Sequence, residues 1–338
     1  MRVAVDAMGG DHAPGEIVQG VLQALERIGG DEVVLVGCKE RIEKELSASA
    51  SVYRQVEYRI SVVEAPELIA MDEPPVEAVR RKPNSSLVRA AALAADGEVD
   101  AVISAGNTGA CVAVSQMKMH RLPGAHRPGI AVVIPTFDRP CVMCDVGANI
   151  SCRPRHLHQY ALMAAEYAEF ILGTETPRVG LLSIGQEVAK GNTLTKQSHD
   201  LLKNDNSLNF VGNVEGRDIF LNKADVIVSD GFVGNVVLKL IEGVGEGLFK
   251  GLAKEMGQLD GEVAGKLGPL FQEIYHRHDY REYGGAPLLG VKGVSIICHG
   301  SSDRLAIRNA IRVSREVVTQ HVNERIMTRL ARAEGGKK

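Results

Sequence analysis

The sequence predicts an α/β protein built on a mostly parallel sheet with flanking helices, and three observations carry the prediction. Short β-branched and apolar runs alternate with amphipathic stretches, which is the pattern of βαβ units. The runs end repeatedly in loops of Gly, Asn, Ser and Asp: RVAVDAMGGDHAP (2–14), AVISAGNTGA (101–110), CVMCDVGAN (141–149), VGLLSIGQEVAKGN (179–192), VIVSDGFVGN (226–235) and VSIICHGSSD (294–303). The chain, at 338 residues with 45% hydrophobic and 24% charged side chains, is long enough to bury the core that such a sheet needs. In parallel α/β sheets the loops after strand C-termini gather on one edge, where ligands bind. Glycines let the backbone approach a ligand there, and helix N-termini point N–H groups at anions. So many such loops predict one large, polar, phosphate-friendly site, and hence an enzyme.

Taken in order, residues 2–6 are predicted to be a strand, 14–28 an amphipathic helix, 32–37 a second strand, 39–47 a short helix and 56–63 a third strand. This βαβαβ opening implies right-handed crossovers. An irregular acidic and Pro-rich piece follows, APELIAMDEPP (65–75), and then a basic turn, RRKPNSS (80–86). Ser85 or Ser86 is placed to cap an Ala-rich helix at about 87–95. The alternation resumes to about residue 240. The stretch 236–278 keeps helical periodicity but is interrupted by glycines, among them Gly243, Gly247, Gly251 and Gly265. Val263, Leu267, Leu270, Phe271 and Ile274 recur at helical spacing and give one greasy face. Such a helix packs on the core or on a second copy of the chain, or it forms a projecting hairpin that touches a membrane surface or lipid chain. Ser302 to about Leu330 reads as one long capped helix, and 331–338 (ARAEGGKK) as a frayed tail. Residues 1–330 read as a single domain whose lobe boundaries the sequence does not mark.

Composition narrows the function. A net charge of −3, 4% aromatics and no Trp give no basis for nucleic-acid binding. No apolar run is long enough to span a bilayer, and the chain opens on a strand without a signal-peptide core, so a cytoplasmic enzyme is expected. Cys141, Cys144 and Cys152, followed by His156 and His158, imitate a zinc spacing. Cys141 and Cys144, however, lie three apart in a predicted strand and should face opposite sides of it. They read as small hydrophobes, and neither a metal site nor a disulfide is expected. There is no G-x-G-x-x-G, no G-x-x-x-x-G-K-[ST] and no G-x-S-x-G, so no nucleotide cofactor is called for and a hydrolase reading is weak.

The candidate residues are polar groups on the loops. Lys190, before Gly191 and Asn192, is a mobile positive charge suited to phosphate, or else an ordinary solvated lysine. Asn235 in DGFVGN is placed to cap the following helix, and its amide is also able to stabilise an oxyanion. Asp6, Asp11 and His12 crowd the first loop, where a carboxylate can orient an imidazole. Asn107, Thr108, Asp145 and Asn149 are ordinary turn and cap residues taken singly; their weight comes from sharing an edge. Arg304, Arg308, Arg312 and Arg315 make a stripe along the last helix, either solvated or a dock for an acidic partner.

VDAMGGDHAP, RRKPNSS, ISAGNTGA, DVGAN, PRVGLLSIGQEVAKGN, DGFVGN, YGGAPLLG (283–290) and HGSSD, in this order over residues 1–330, resemble the phosphate acyltransferase (PlsX) family of bacterial phospholipid synthesis. The resemblance implies an isocitrate dehydrogenase/phosphotransacetylase-like fold, with two α/β lobes around a cleft, and a homodimer. It implies transfer of a fatty acyl group from acyl carrier protein to inorganic phosphate, with no cofactor. It also implies peripheral contact with the inner face of the cell membrane, where a downstream membrane acyltransferase consumes the acyl phosphate.

In that reaction phosphate attacks the thioester directly, so no nucleophilic Ser or Cys is needed. The site must position a dianion, stabilise the tetrahedral oxyanion and protonate the leaving thiolate. Lys190 is expected to neutralise phosphate, Asn235 to donate to the oxyanion and His12 to supply the proton. Gly9, Gly10, Asp11, Ser104, Asn107, Thr108, Asp145, Asn149, Gly191, Asn192, Asp230, Gly284, Gly285, His299, Ser301 and Ser302 are expected to bind substrate. Arg80, Arg81 and Lys82 join the Arg304–Arg315 stripe as the expected carrier-protein dock. The rival readings are a decarboxylating hydroxy-acid dehydrogenase using Asp6, Asp11, Asp145 and Asp230 around a metal, a short-chain acyltransferase using coenzyme A, and a membrane-associated scaffold.

Overall fold

Alternation along the strands sets the layers. In the computed structural model, which describes residues 1–335, β1 (Arg2–Asp6) sends Val3 and Val5 into one buried layer and Ala4 into another. Next come α1 (Gly15–Arg27), β2 (Glu32–Gly37), α2 (Lys39–Ala48), α3 (Ala50–Val56) and β3 (Ile60–Glu64). Then follow α4 (Pro75–Arg81), α5 (Ser86–Ala95), β4 (Ala101–Ser104), α6 (Thr108–Val114), β5 (Gly129–Ile134) and β6 (Cys141–Cys144). The chain continues through α7 (Pro154–Ile171), β7 (Arg178–Leu182), α8 (Thr193–Lys203), β8 (Asn209–Val214) and β9 (Val226–Val228). It ends with α9 (Gly231–Met256), α10 (Gly261–His278), β10 (Ala286–Leu289), β11 (Val294–Ile297), α11 (Arg304–Thr319) and α12 (Val322–Gly335). One core layer packs under α1, α7, α11 and α12, through residues such as Leu22, Tyr160, Ile307 and Ile326. The other packs under α5, α6 and the root of α9.

The strand order is β3-β2-β1-β4-β11-β10-β5-β6-β9-β7-β8. The β11–β10, β10–β5 and β5–β6 pairs are antiparallel and the rest are parallel. The α/β, mostly parallel prediction therefore holds, but the single loop-rich edge does not. Because the chain reverses across β10 and β5, the strands on either side of the centre point in opposite directions. Loops after β1, β4 and β11 leave one edge of the sheet, and loops after β6, β9 and β7 leave the other. Nothing local in β10 or β5 announces the reversal, since antiparallel and buried parallel strands both read as short apolar runs.

Several local expectations are corrected. Asp303, not Ser302, caps α11, accepting from Ala306 N–H at 3.0 Å. The predicted single C-terminal helix breaks at Gln320–His321, where His321 takes a left-handed φ of 53°. Of the tail expected to fray, 331–335 continue α12 and 336–338 lie outside the described residues. Ser85 precedes α5 as expected, but its hydroxyl makes no capping bond. Cys141 and Cys144 do lie on opposite faces of β6, one in each core layer, so they cannot converge on one ion.

Residues 231–278 form a helical hairpin. In α9 only Gly231 and Gly234 are buried, and Leu240, Val244, Leu248 and Leu252 form an exposed stripe at one-turn spacing. The Phe249 ring meets Phe271 and Tyr275 edge-on, with centroids 6.2 and 5.1 Å apart, and these contacts tie α9 to α10. Among the described residues no helix is long and apolar enough to cross a membrane.

Candidate active site

The two loop-rich edges are joined by a slot of about 780 Å³ that runs along one face of β5. Its floor is Ile130, Val132 and Ile134, which alternate on that face, and Pro135 lies beyond them. The α9–α10 hairpin supplies Leu238, Ile241, Phe249 and Phe271 as the apolar wall. One end carries Val146 and Asn235; the other carries Thr108, His299, Ser301 and Ser302. A mostly apolar cavity of this size with a few polar groups at its ends is the usual form of a small-molecule site.

At the first edge, buried Asp6 ends β1. Its carboxylate accepts from Ser104 Oγ at 2.7 Å and from Met8 N–H at 3.1 Å. Burial pushes its pKa up, against these hydrogen bonds. Ser104 Oγ in turn accepts from Gly106 N–H at 3.0 Å. Gly9 fits this cluster because a Cβ there would lie 2.6 Å from Asp6 Oδ2. Gly10, at φ +108°, turns the loop so that Asp11 N–H donates to Gly300 O at 2.8 Å. This bond stitches the first loop to HGSSD, where Ser301 Oγ and His299 Nδ1 are 2.8 Å apart. Asn107 caps α6 and donates to Met71 O and Glu73 O at 3.0 and 3.1 Å, so its amide holds the 65–75 segment and leaves no N–H for a ligand. Asp11 and His12 are exposed beside this edge and do not line the slot.

At the second edge the polar residues are wired inward. Asp145, 0% exposed, accepts from the N–H groups of Ile130, Gly147, Ala148 and Asn149 and from Asn149 Nδ2, at 2.8–3.1 Å. Burial raises its pKa against these donors. Asn149 also donates to Pro128 O at 2.6 Å. Asp230 caps α9, accepting from Phe232 and Val233 N–H at 3.0 Å. Asn235 therefore lies in the second turn of α9 and does not cap it, a correction to the sequence reading; DGFVGN holds two good capping residues, and the helix starts at the first. Gly231 and Gly234 pack onto the 145–149 loop, and the exposed Asn235 lies beside Gly147 facing the slot. Its side chain has no hydrogen-bond partner among the described residues.

Lys190 lies on the exposed 183–192 loop, outside the lining of the slot, and makes no ion pair among the described residues. Gly191 takes φ +91° beside it, and Asn192 caps α8 through Thr195 N–H at 2.9 Å. Gly284 and Gly285 do line the slot, pressed against Asn309 and Ile296. The arginine stripe of α11 is largely spent within the chain: Arg304 on Glu16, Arg312 on Glu316 and Arg315 on Asp31, at 2.5, 2.7 and 3.8 Å. Burial lowers the pKa of Arg308. Arg81 pairs with Glu77 and Lys82 with Glu73 at 2.6 and 2.5 Å.

Sequence reasoning missed Arg281. It lines the slot, binds Asp279 and Asp303 at 2.7 and 2.8 Å and donates to Tyr275 OH at 2.7 Å, clamping the end of the hairpin to the HGSSD loop. These partners raise its pKa, so it stays charged. The signal is present in YREYGGAPLLG (280–290), where Arg281 stands two residues before YGGAPLLG, but a lone Arg there has no periodicity to mark it.

The chain is similar to solved structures that share this architecture. A branched-chain phosphotransacylase from Enterococcus faecalis V583 superposes with a TM-score of 0.58 at 15% identity, covering 94% of this chain and 99% of that one. A phosphotransacetylase from Streptococcus pyogenes gives 0.58 at 15%, covering 94% of each. At these identities the likeness shows the fold alone. Sequence relatives are far nearer. A phosphate acyltransferase from Desulfitobacterium hafniense (strain DSM 10664 / DCB-2) is 50% identical, covering 98% of each chain. One from Desulforamulus reducens is 48% identical, covering 95% of this chain and 94% of that one. The family model described as "Fatty acid synthesis protein" matches residues 1–325. With that match and these near-full-length relatives, the chain belongs to the fatty acid synthesis protein family and is a phosphate acyltransferase of fatty acid and phospholipid synthesis.

Proposed function

We propose that the chain transfers a long fatty acyl group from acyl carrier protein to inorganic phosphate, by direct attack of phosphate on the thioester, and releases an acyl phosphate. The observation that carries this reading is the slot: an apolar channel along β5, roofed by the hairpin and open to polar groups at both ends, suits an alkyl chain with a reacting headgroup. A phosphate oxygen forms a bond to the thioester carbon, the C–S bond breaks, and the carrier thiolate takes up a proton. Asn235 is the proposed oxyanion donor, which its unpartnered amide at the mouth of the slot supports. Lys190 is the proposed phosphate partner, a role that requires the 183–192 loop to fold toward the slot. His12, exposed at the first edge, is the proposed proton donor. The carrier's acidic surface is proposed to dock on the Arg80–Lys82 turn and the arginine stripe, where Arg80 and Arg308 form no ion pair among the described residues. The enzyme is further proposed to be cytoplasmic and to work as a homodimer in peripheral contact with the membrane, delivering its product to a membrane acyltransferase; the exposed apolar stripe of α9 supports the apolar contact in that reading.

The test is phosphate-dependent consumption of palmitoyl-acyl carrier protein, with product trapped as the hydroxamate. Hydroxamate that forms only with phosphate supports the reaction; none from any carrier or coenzyme A donor overturns it. Asn235→Ala and Lys190→Ala are each expected to lose about 100-fold or more in turnover, the cost of removing one transition-state donor. Near-normal turnover in either variant removes that residue from the mechanism.

A further inference from the structure

On the far side of the 145–149 loop lies a second recess, of about 690 Å³, that the acyl-transfer reading does not use. Arg121 and Arg127 reach it from the segment before β5, and Arg153 and Arg155 from the start of α7; His126 and His156 complete the ring. No carboxylate is among its lining residues. This sets it apart from the α11 stripe, where three of four arginines face an acid of their own chain. Clustered like charges repel, so four arginines that form no ion pair among the described residues are costly to hold together unless something else supplies the counter-charge.

The recess is also built at its base. His156 is 6% exposed, and its Nδ1 accepts from Arg153 N–H at 3.2 Å while His156 N–H donates to Arg153 O at 2.8 Å. With Nδ1 engaged as an acceptor, the neutral ring carries its proton on Nε2, which has no acceptor among the described residues. The buried ring thus brings a fixed N–H donor to the recess. The 18-residue helix α7 begins at the same place and adds the positive end of its dipole. Arg127 Nη1 also donates to Asn149 Oδ1 at 3.4 Å, which places the recess directly behind the loop that seats Asn235.

We propose that this recess is a binding site for a compact polyanion carrying adjacent phosphoryl groups. Guanidinium forks from two segments match the paired oxygens of such groups, and a volume within the usual small-molecule range favours a compact ligand over a protein surface. Free inorganic pyrophosphate and the polyphosphate tail of a nucleotide share this chemistry. The site is separate from the slot, so the inference does not depend on the proposed acyl donor.

Calorimetric titration of the full chain with inorganic pyrophosphate and, separately, with a nucleoside triphosphate, at fixed ionic strength, tests it. Saturable one-to-one binding is expected, weakened at least tenfold in Arg153→Ala/Arg155→Ala and unchanged in Arg332→Ala, which removes an exposed charge elsewhere. Pyrophosphate that binds as tightly as the nucleotide supports an inorganic ligand; tighter nucleotide binding supports a nucleotide. Absence of saturable binding for both probes overturns the site. So does binding that the double variant leaves intact or that Arg332→Ala weakens equally. Since no acyl transfer is measured, failure here leaves the reaction untouched, and failure of the reaction leaves this result readable.

Discussion

At the root of α9, Gly231 and Gly234 press the helix backbone onto the 145–149 loop. A Cβ on Gly231 would stand 2.7 Å from Asn149 O, and one on Gly234 would collide with the carbonyl oxygen of Asp145. Three turns further along the same helix, Gly243, Gly245, Gly247 and Gly251 have nothing within 4 Å of where a side chain would begin. At the root, glycine is a packing requirement that aims Asn235 into the slot. In the outer turns it fills no tight space and only lowers helix propensity. The root is fixed by a buried carboxylate and close backbone contact; the projecting part is fixed by helix–helix contacts such as those of Phe249.

The strongest way to break this comparison is to remove the carboxylate beneath the root. Asp145→Ala strips the acceptor from five N–H bonds, four of them from backbone groups. A loss of at least about 3 kcal/mol is expected, because each buried donor left unpaired costs about 1–3 kcal/mol and some will find water. Urea denaturation measures it. A loss under about 1 kcal/mol would mean that the loop is not held by this residue. Gly234→Ala comes next: overpacking costs about 1–3 kcal/mol, and the backbone must move away from Asp145. Because Asn235, the proposed oxyanion donor, follows directly, turnover should fall by about 100-fold if its amide shifts by about 1 Å. A variant that melts lower yet keeps full activity would uncouple the root from the chemistry.

The first of these residues was visible in the sequence for a reason other than the one that matters. Asp145 and Asn149 stood out in DVGAN as polar loop residues and were expected to face substrate, whereas they face the backbone. The type of residue was legible but its direction was not, because direction depends on β5, fifteen residues earlier, arriving antiparallel to β6. Strands such as β1 and β2 were legible, since VAV and VVLV have no competing reading. The reversal at β10 and β5 was not, because strand direction is set by long-range packing. The cationic recess was invisible as well: Arg121 and Arg127 meet Arg153 and Arg155 only after the sheet forms, and no spacing in the chain connects them.

Acid sharpens the comparison from the far side of the root. Burial, with Arg127, Arg155, His126 and Arg153 around it, pushes the pKa of His156 down to about 4 from the ordinary imidazole value of 6.5. Between these values the unfolded chain holds the proton and the folded chain does not. The contribution of His156 to stability is therefore complete above pH 6.5, falls as the pH drops toward 4 and levels off below. His156→Gln keeps an acceptor for Arg153 N–H but cannot titrate. The gap in stability between wild type and this variant, followed by urea denaturation from pH 7 to pH 4, should shift in favour of the variant on acidification. A gap that stays constant with pH would remove His156 as the titrating group.

The smallest effect tests the other half of the comparison. Gly243→Ala places a methyl group in open space on a helix, so it adds no clash and removes backbone freedom from the unfolded chain. A gain of about 0.5–1 kcal/mol in local helix stability is expected, opposite in sign to Gly234→Ala nine residues earlier. Global melting need not report it, because the outer hairpin can open without the sheet. Amide hydrogen exchange resolved along α9 is the direct measurement. Slower exchange in the outer turns, with the root unchanged, fits a helix whose two ends obey different rules. Destabilisation at Gly243 would show instead that its bare backbone is in contact with something, and a second copy of the chain would be the first place to look.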